Sequence, residues 1–355
     1  MNKVCTGARA LGKRVWGFVS RRGVVQACAA FLTNPHIPNF IKGTIYTGSA
    51  KSVCVPGLNC YSCPAATGAC PIGAFQAVVG SSKFSFSYYI TGILILIGTL
   101  LGRFVCGFLC PFGWVQDLLN KIPFPKKFST KKLKWLRYVK YGILIVMVWA
   151  LPALLQNAVG MGDPYFCKYV CPQGILEGAI PLSLADSSIK AALGTLFTMK
   201  FSILATIVLL SIMFYRPFCK WICPLGAFYS LFNRISILQY RVDKDACIKC
   251  GKCARTCKMD VDITKNNASL ECIRCGECIK ACPVHAIDSK LMLINREIAK
   301  SEKVAKAKTA AGKKVVAGTK AATNMKTVAG AKAATNTKTA ADTTAKATAK
   351  VVRHK

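Results

Sequence analysis

Two runs between Cys247 and Cys282, CIKCGKCARTC and CIRCGECIKACP, each place their cysteines as C-x2-C-x2-C-x3-C. In bacterial two-cluster ferredoxins this spacing holds two [4Fe–4S] clusters, and the fourth cysteine of each run serves the other run's cluster. The expected ligand sets are Cys247, Cys250, Cys253 and Cys282 for one cluster, and Cys257, Cys272, Cys275 and Cys278 for the other. Lys258 stands where proline usually follows the run, which removes no ligand. Structural zinc is the competing use of such cysteines, and two interleaved four-cysteine runs argue against it.

A second thiol pattern is a repeat. RFVCGFLCPFG (Arg103 to Gly113) and RPFCKWICPLG (Arg216 to Gly226) share R-x2-C-x3-C-P-x-G, then run on to Asn-Lys-Ile (Asn120 to Ile122) and Asn-Arg-Ile (Asn233 to Ile235). Cys106, Cys110, Cys219 and Cys223 together supply four thiolates, the complement of a further [4Fe–4S] cluster. Proline after the second cysteine suits the first position of a helix, whose free N–H groups would then face an anionic cluster. Arg103 and Arg216 add positive charge one turn earlier; arginines at helix ends also serve as membrane anchors, and residue type does not separate the two roles.

Cys54, Cys60, Cys63, Cys70, Cys167 and Cys171 form a third group, with Cys-Pro-x-Gly recurring at Cys70 and Cys171. Four of these could hold another cluster, or all could pair as disulfides. The recurring Cys-Pro-x-Gly favours a cluster without deciding which four serve. Cys5 and Cys28 are read as inert small side chains.

These residues need elements to position them, and composition points to a bilayer. A chain of 355 residues that is 53% hydrophobic, with a mean hydropathy of +0.37 and a net charge of +35, is not an ordinary soluble domain. Apolar runs of spanning length cover 84–101, 138–155 and 199–215; a weaker fourth, 15–33, contains Arg21 and Arg22 and would span by snorkelling or lie at the interface. No cleavable signal peptide is legible. Lys and Arg crowd residues 1–22 and 103–140 and thin out over 34–83 and 157–198. The positive-inside rule then places the amino terminus, 103–140 and everything after Arg216 in the cytoplasm, with 34–83 and 157–198 outside. The expected fold is an α-helical integral membrane protein of about four transmembrane helices, carrying a small α+β two-cluster ferredoxin domain and a disordered tail.

The expected organisation is a polytopic membrane domain over 1–240, the ferredoxin domain over 241–292, and a Lys/Ala/Thr-rich tail over 301–355. The segment 174–197 reads as interfacial or re-entrant; packing is the commoner fate of such apolar residues, and lining a quinone pocket is the alternative. The tail repeats AGTKAATNMKT as AGAKAATNTKT and has little apolar surface to bury, so it is expected to be disordered and to rest on the anionic membrane surface. Without interleaved aromatic residues it carries no specific nucleic-acid signal. Haem is not expected: His36, His285 and His354 offer no bis-histidine pair, and no C-x2-C-H motif occurs.

With these motifs in place, residues 20 to 290 resemble polytopic membrane 4Fe-4S binding proteins of the NapH/NosR type. The likeness is closest to a bacterial branch with the PGLNCYSCP…CPIG segment at Pro56 to Gly73. The resemblance implies an electron carrier between membrane quinol and a partner reductase or flavoprotein, an electron-transfer subunit rather than a complete enzyme. No segment that would correspond to the flavin-bearing amino-terminal domain of larger members is expected within these residues. The expected setting is the cytoplasmic membrane, multi-pass, with ferredoxin domain and tail inside and a partner redox protein at hand. A redox-sensing or metallocofactor-maturation protein would use the same clusters, and a zinc- or copper-binding membrane protein the same thiols. One difficulty follows from the topology: the hydrocarbon core is ~30 Å thick, too far for one tunnelling step between thiols on its two faces. Either helices carry cysteines inward, a quinone completes the path, or the faces are not linked.

Overall fold

A computed structural model describes residues 22–81, 87–124, 130–158, 160–185, 187–191 and 194–289. The expectations for Cys5, for Arg21 and for the tail lie outside these residues. The chain opens with α1 (Arg22–Thr33), then α2 (Pro71–Gly80), α3 (Tyr88–Leu101), the single turn α4 (Phe104–Phe108) and α5 (Pro111–Leu119). After these come the long α6 (Leu133–Leu154), α7 (Gly174–Ala185), α8 (Thr195–Met213), the turn α9 (Pro217–Trp221) and α10 (Pro224–Leu231). The ferredoxin segment closes on β1 (Tyr240–Val242) paired antiparallel with β2 (Ile287–Ser289), Tyr240 opposite Ser289 and Val242 opposite Ile287.

Helices begin where the sequence places proline behind cysteine. In α2, α5 and α10 the proline is the first helical residue, and Cys70, Cys110 and Cys223 precede it in extended backbone with ψ of 126°, 117° and 112°. Proline's fixed φ and missing N–H suit that position. The thiols consequently sit at helix starts, with free N–H groups directed their way.

Two helices among the described residues are long and apolar enough to cross a membrane: α6, with mean hydropathy 1.4, and α8, with 2.1. Both present apolar surface outward, as at Trp149 (60% exposed) on α6 and Leu209 (63%) on α8. The described part of the run at 84–101 is the 14-residue α3. At 1.5 Å per residue it reaches about 21 Å, short of the hydrocarbon thickness. It stops at Gly102, whose φ of +54° turns the chain back. The 12-residue α1 does not snorkel: Arg22 points into the protein and pairs with Asp117 at 2.5 Å, while its Nε donates to the Gly107 carbonyl at 2.9 Å.

One core joins nearly everything. Cys54, Cys70, Cys106, Cys110, Cys171, Cys219 and Cys223 lie in it with Leu58, Phe112, Phe166, Phe218 and Tyr229, and so do Met259, Val261 and Ile273 of the ferredoxin segment. Phe112 and Phe218 meet edge to face, centroids 4.9 Å apart, where the two repeat copies touch. This corrects the expected separation of the cysteines onto opposite faces. Gly57, in the segment read as external, packs on Cys110, and Tyr229 Oη donates to the Pro56 carbonyl at 3.0 Å. The physical reason is that α2, α5 and α10 are half-helices of 8 to 10 residues that carry their cysteine ends into the packed interior.

The ferredoxin segment is docked tightly. A Cβ added at Gly107 would lie 2.5 Å from the Ile273 carbonyl oxygen, a backbone atom that cannot swing aside. Gly107→Ala is expected to loosen this contact by about 1–3 kcal/mol, read as faster protease clipping between 236 and 246 with ferredoxin iron retained.

Candidate iron–sulfur centres

Each expected ferredoxin ligand set lines one cavity. Cys247, Cys250, Cys253 and Cys282 surround a space of about 320 Å³ between β1 and the loop over Ile248 and Lys249. Cys257, Cys272, Cys275 and Cys278 line a second. The two halves repeat in backbone conformation. Lys249 and Arg274 take left-handed φ of 53° and 54°, followed by Gly251 and Gly276 at 68° and 81°; Asp260 and His285, three residues past Cys257 and Cys282, have φ of 55° and 48°. Non-glycine residues hold this conformation only where their surroundings impose it. Here it turns N–H groups toward sulfur: Val261 N donates to Cys257 Sγ at 3.4 Å and Ala286 N to Cys282 Sγ at 3.3 Å.

The cavities differ in exposure. Cys250 and Ile248 of the first face solvent, whereas Cys257, Cys272 and Cys275 of the second pack on the core that holds Cys106 and Cys219.

Beside that second cavity stand Cys106, Cys110, Cys219 and Cys223, all buried, brought together from the two repeat copies. Arg103 and Arg216 are not membrane-end anchors. Both are fully buried, and each braces the opposite copy: Arg103 Nη2 donates to the Cys219 carbonyl at 3.2 Å, and Arg216 Nη1 to the Cys106 carbonyl. Asp117 receives Arg216 through both carboxylate oxygens, at 2.7 and 2.6 Å. Burial alone would raise the Asp117 carboxyl, but Arg216 and Arg22 hold it below the usual range.

The donor set fits a [4Fe–4S] cluster. Burial pushes the Cys110 thiol up to about 12 and raises Cys219 and Cys223. Such thiols ionise only against a compensating positive centre, which bound iron together with the buried guanidiniums would supply. Donors converge on the sulfurs: Gln116 Nε2 reaches Cys219 Sγ at 3.1 Å and Gly226 N reaches Cys223 Sγ at 3.3 Å. Arg103 Nε, a buried donor, has no protein partner among the described residues, which suits an anionic group beside it. Among the described residues no three thiols, imidazoles or carboxylates converge on a point that one metal ion could occupy. A cluster spreads its thiolates farther apart than a tetrahedral zinc does.

Gln116 escaped the sequence reading, although a signal existed: glutamine follows Cys-Pro-x-Gly-x-x in both CPIGAFQ and CPFGWVQ. Hydrogen bonds to ligand sulfur help set cluster potential. Gln116→Leu should make one centre harder to reduce and leave the ferredoxin pair unmoved, a difference read by EPR-monitored redox titration.

Of the other six cysteines, Cys60, Cys70, Cys167 and Cys171 lie within electrostatic reach of one another. Cys54 neighbours Cys70 alone in that set, and Cys63 turns to Asn34, its Sγ 3.7 Å from Oδ1. Every described cysteine is a free thiol.

Comparison with known proteins agrees with this chemistry. A family model described as a 4Fe-4S binding domain matches residues 68–88, 86–133, 142–180 and 196–240, and one described as a 4Fe-4S dicluster domain matches 239–283. The chain is 30% identical over 183 residues to an uncharacterized protein of Methanocaldococcus jannaschii, covering 49% of this chain and 66% of that one. It is 28% identical over 178 residues to the Escherichia coli protein YccM, which is named for electron transport (48% and 45% covered). It is also 28% identical over 251 residues to the Paracoccus denitrificans methylamine utilization ferredoxin-type protein MauN (70% and 77% covered). The chain spans less than two thirds of the length of the first relatives it matches. No solved structure matches it. The chain therefore carries 4Fe-4S domains of the ferredoxin type and has relatives named for electron transport.

Proposed function

We propose that this iron–sulfur protein is a membrane-embedded electron conduit, exchanging electrons with a soluble partner at Cys247 and Cys250 and with a donor such as quinol, or an acceptor, within the bilayer. The observation that carries this reading is spatial order. An exposed four-thiol cavity is followed by a half-buried one, and that one packs against the four buried helix-end thiols. Bound clusters would supply one-electron storage at each stop. The chain's own residues hold the stops in register: Asn233 Nδ2 donates to the Cys272 carbonyl at 2.9 Å, and Arg274 Nη1 to the Leu101 carbonyl at 2.6 Å. Half-buried Tyr215 lies 5.9 Å under the Arg216 guanidinium and within electrostatic reach of Cys275, between the second and third stops.

The membrane setting is supported by the outward apolar faces of α6 and α8. The grouping of thiols into successive four-cysteine sites supports reading the chain as a redox subunit. The test is iron and acid-labile sulfide counting on anaerobically purified full chain. About twelve irons or more per chain are expected from three or more clusters; fewer than about eight would remove even the ferredoxin pair.

A further inference from the structure

We propose that Cys60, Cys70, Cys167 and Cys171 ligate a fourth [4Fe–4S] cluster, built on the same plan as the helix-end site and adjoining it. The proposal rests on the electron-conduit reading and assigns a ligand set that spacing left open.

The plan repeats element by element. Cys171 closes Phe166–Val170 and precedes proline in the same extended backbone, ψ 115°, as Cys223 at 112°. Gln76, six residues past Cys70, donates to Cys167 Sγ at 3.2 Å; Gln116, six past Cys110, donates to Cys219 Sγ at 3.1 Å. Lys200 Nζ donates to the Cys167 carbonyl at 3.2 Å, where Arg103 donates to the Cys219 carbonyl at the same distance. Phe166 and Phe218, each one residue before the first cysteine of its pair, are both fully buried. The matched 4Fe-4S binding segments agree, since each of the four contains one Cys-Pro-x-Gly. By this correspondence Cys70, Cys167 and Cys171 stand where Cys110, Cys219 and Cys223 do.

The counterpart of Cys106 is Ala66, so the fourth thiol must come from elsewhere. Cys60 supplies it. An added Cβ on Gly174, in the turn after Cys171, would lie 3.7 Å from Cys60 Sγ. The Cys60 N–H is fixed by Glu177 Oε2 at 3.2 Å.

The two sites share backbone. The backbone of the adjacent residues Leu58 and Asn59 lies beside the Cys110 thiol and the Cys70 thiol respectively. Tyr229 lies in reach of Cys106 and Cys110 on one side and Cys70 on the other. One ligand of each site therefore stands beside the same stretch of backbone, where Gly57 also packs on Cys110, which extends the route rather than starting a separate one.

The test uses the full chain with iron counting and EPR of the dithionite-reduced protein. Cys60→Ser and Cys167→Ser should each lose about four irons and the same signal, while Cys63→Ser keeps both. Full iron in Cys60→Ser, zinc in place of iron, or a disulfide among these four by mass spectrometry overturns the assignment. Should the cysteine variants fail to accumulate, Gln76→Leu spares every thiol and is expected to lower one midpoint potential, distinct from the one that Gln116→Leu moves; no shift overturns it. Failure of the conduit reading looks different, because the ferredoxin signals would then be missing from the unmodified protein.

Discussion

Glu271→Ala is expected to undock the ferredoxin segment while leaving its own eight cysteines competent. Glu271 is buried between two cations, with Arg103 Nη1 at 2.8 Å and Lys140 Nζ at 2.5 Å. Burial alone would raise its carboxyl, yet Arg103 and Lys140 hold it down at about 2. Removing it strands two fully buried positive charges, and breaking such a network costs about 3–5 kcal/mol. Asn233 and Arg274 cannot replace it, because both meet the opposite segment mainly through carbonyl oxygens. Protease clipping between 236 and 246 should accelerate more than tenfold, with ferredoxin iron retained. The pH dependence has a defined sign. A carboxylate with a depressed folded pKa contributes fully above its ordinary value of ~4.3 and loses the contribution as pH falls through about 2. The contribution of the Glu271 carboxylate to docking should therefore be unchanged between pH 7 and pH 5.

Cys219→Ser should remove about four irons per chain and one reduced-state signal, sparing the ferredoxin pair. The residue is 5% exposed, is reached by Gln116, and carries the carbonyl that Arg103 grips, so serine keeps the backbone contact and withdraws only the sulfur. Loss of iron without loss of fold is the expected pattern. It is checked by circular dichroism alongside the iron count.

The grouping of the ferredoxin thiols around two cavities was legible because their geometry is local: loops a few residues long place three of the four thiols of each set. The helix-end pairs were legible as a repeat, and Cys-Pro fixed where α5 and α10 begin. Topology was less so. Hydropathy recognises the α6 and α8 runs as long enough to span, but it cannot show that the chain reverses at Gly102 or that Gly57 folds back onto Cys110. Those contacts depend on packing between residues 53 positions apart, which leaves no periodic trace. Arg103 and Arg216 illustrate the same limit. An arginine before a cysteine pair reads equally as anchor or brace until Asp117 and Glu271, far along the chain, are seen to meet it. Among the six remaining cysteines, sequence could not choose Cys60 over Cys54 or Cys63, since the choice lies in which thiol reaches the turn after Cys171.

The most direct measurement is the EPR spectrum of the fully reduced full-length protein compared with its Cys219→Ser variant. Magnetic coupling should broaden and split the signals of the native chain, because the Cys257 and Cys272 side of the ferredoxin shares a core with Cys106 and Cys219. The variant should return the simpler interaction pattern of a ferredoxin pair, beside the separate signal of the cluster proposed at Cys60, Cys70, Cys167 and Cys171. Native spectra that are the plain sum of isolated clusters, unchanged by the substitution, would contradict the continuous path on which the account rests.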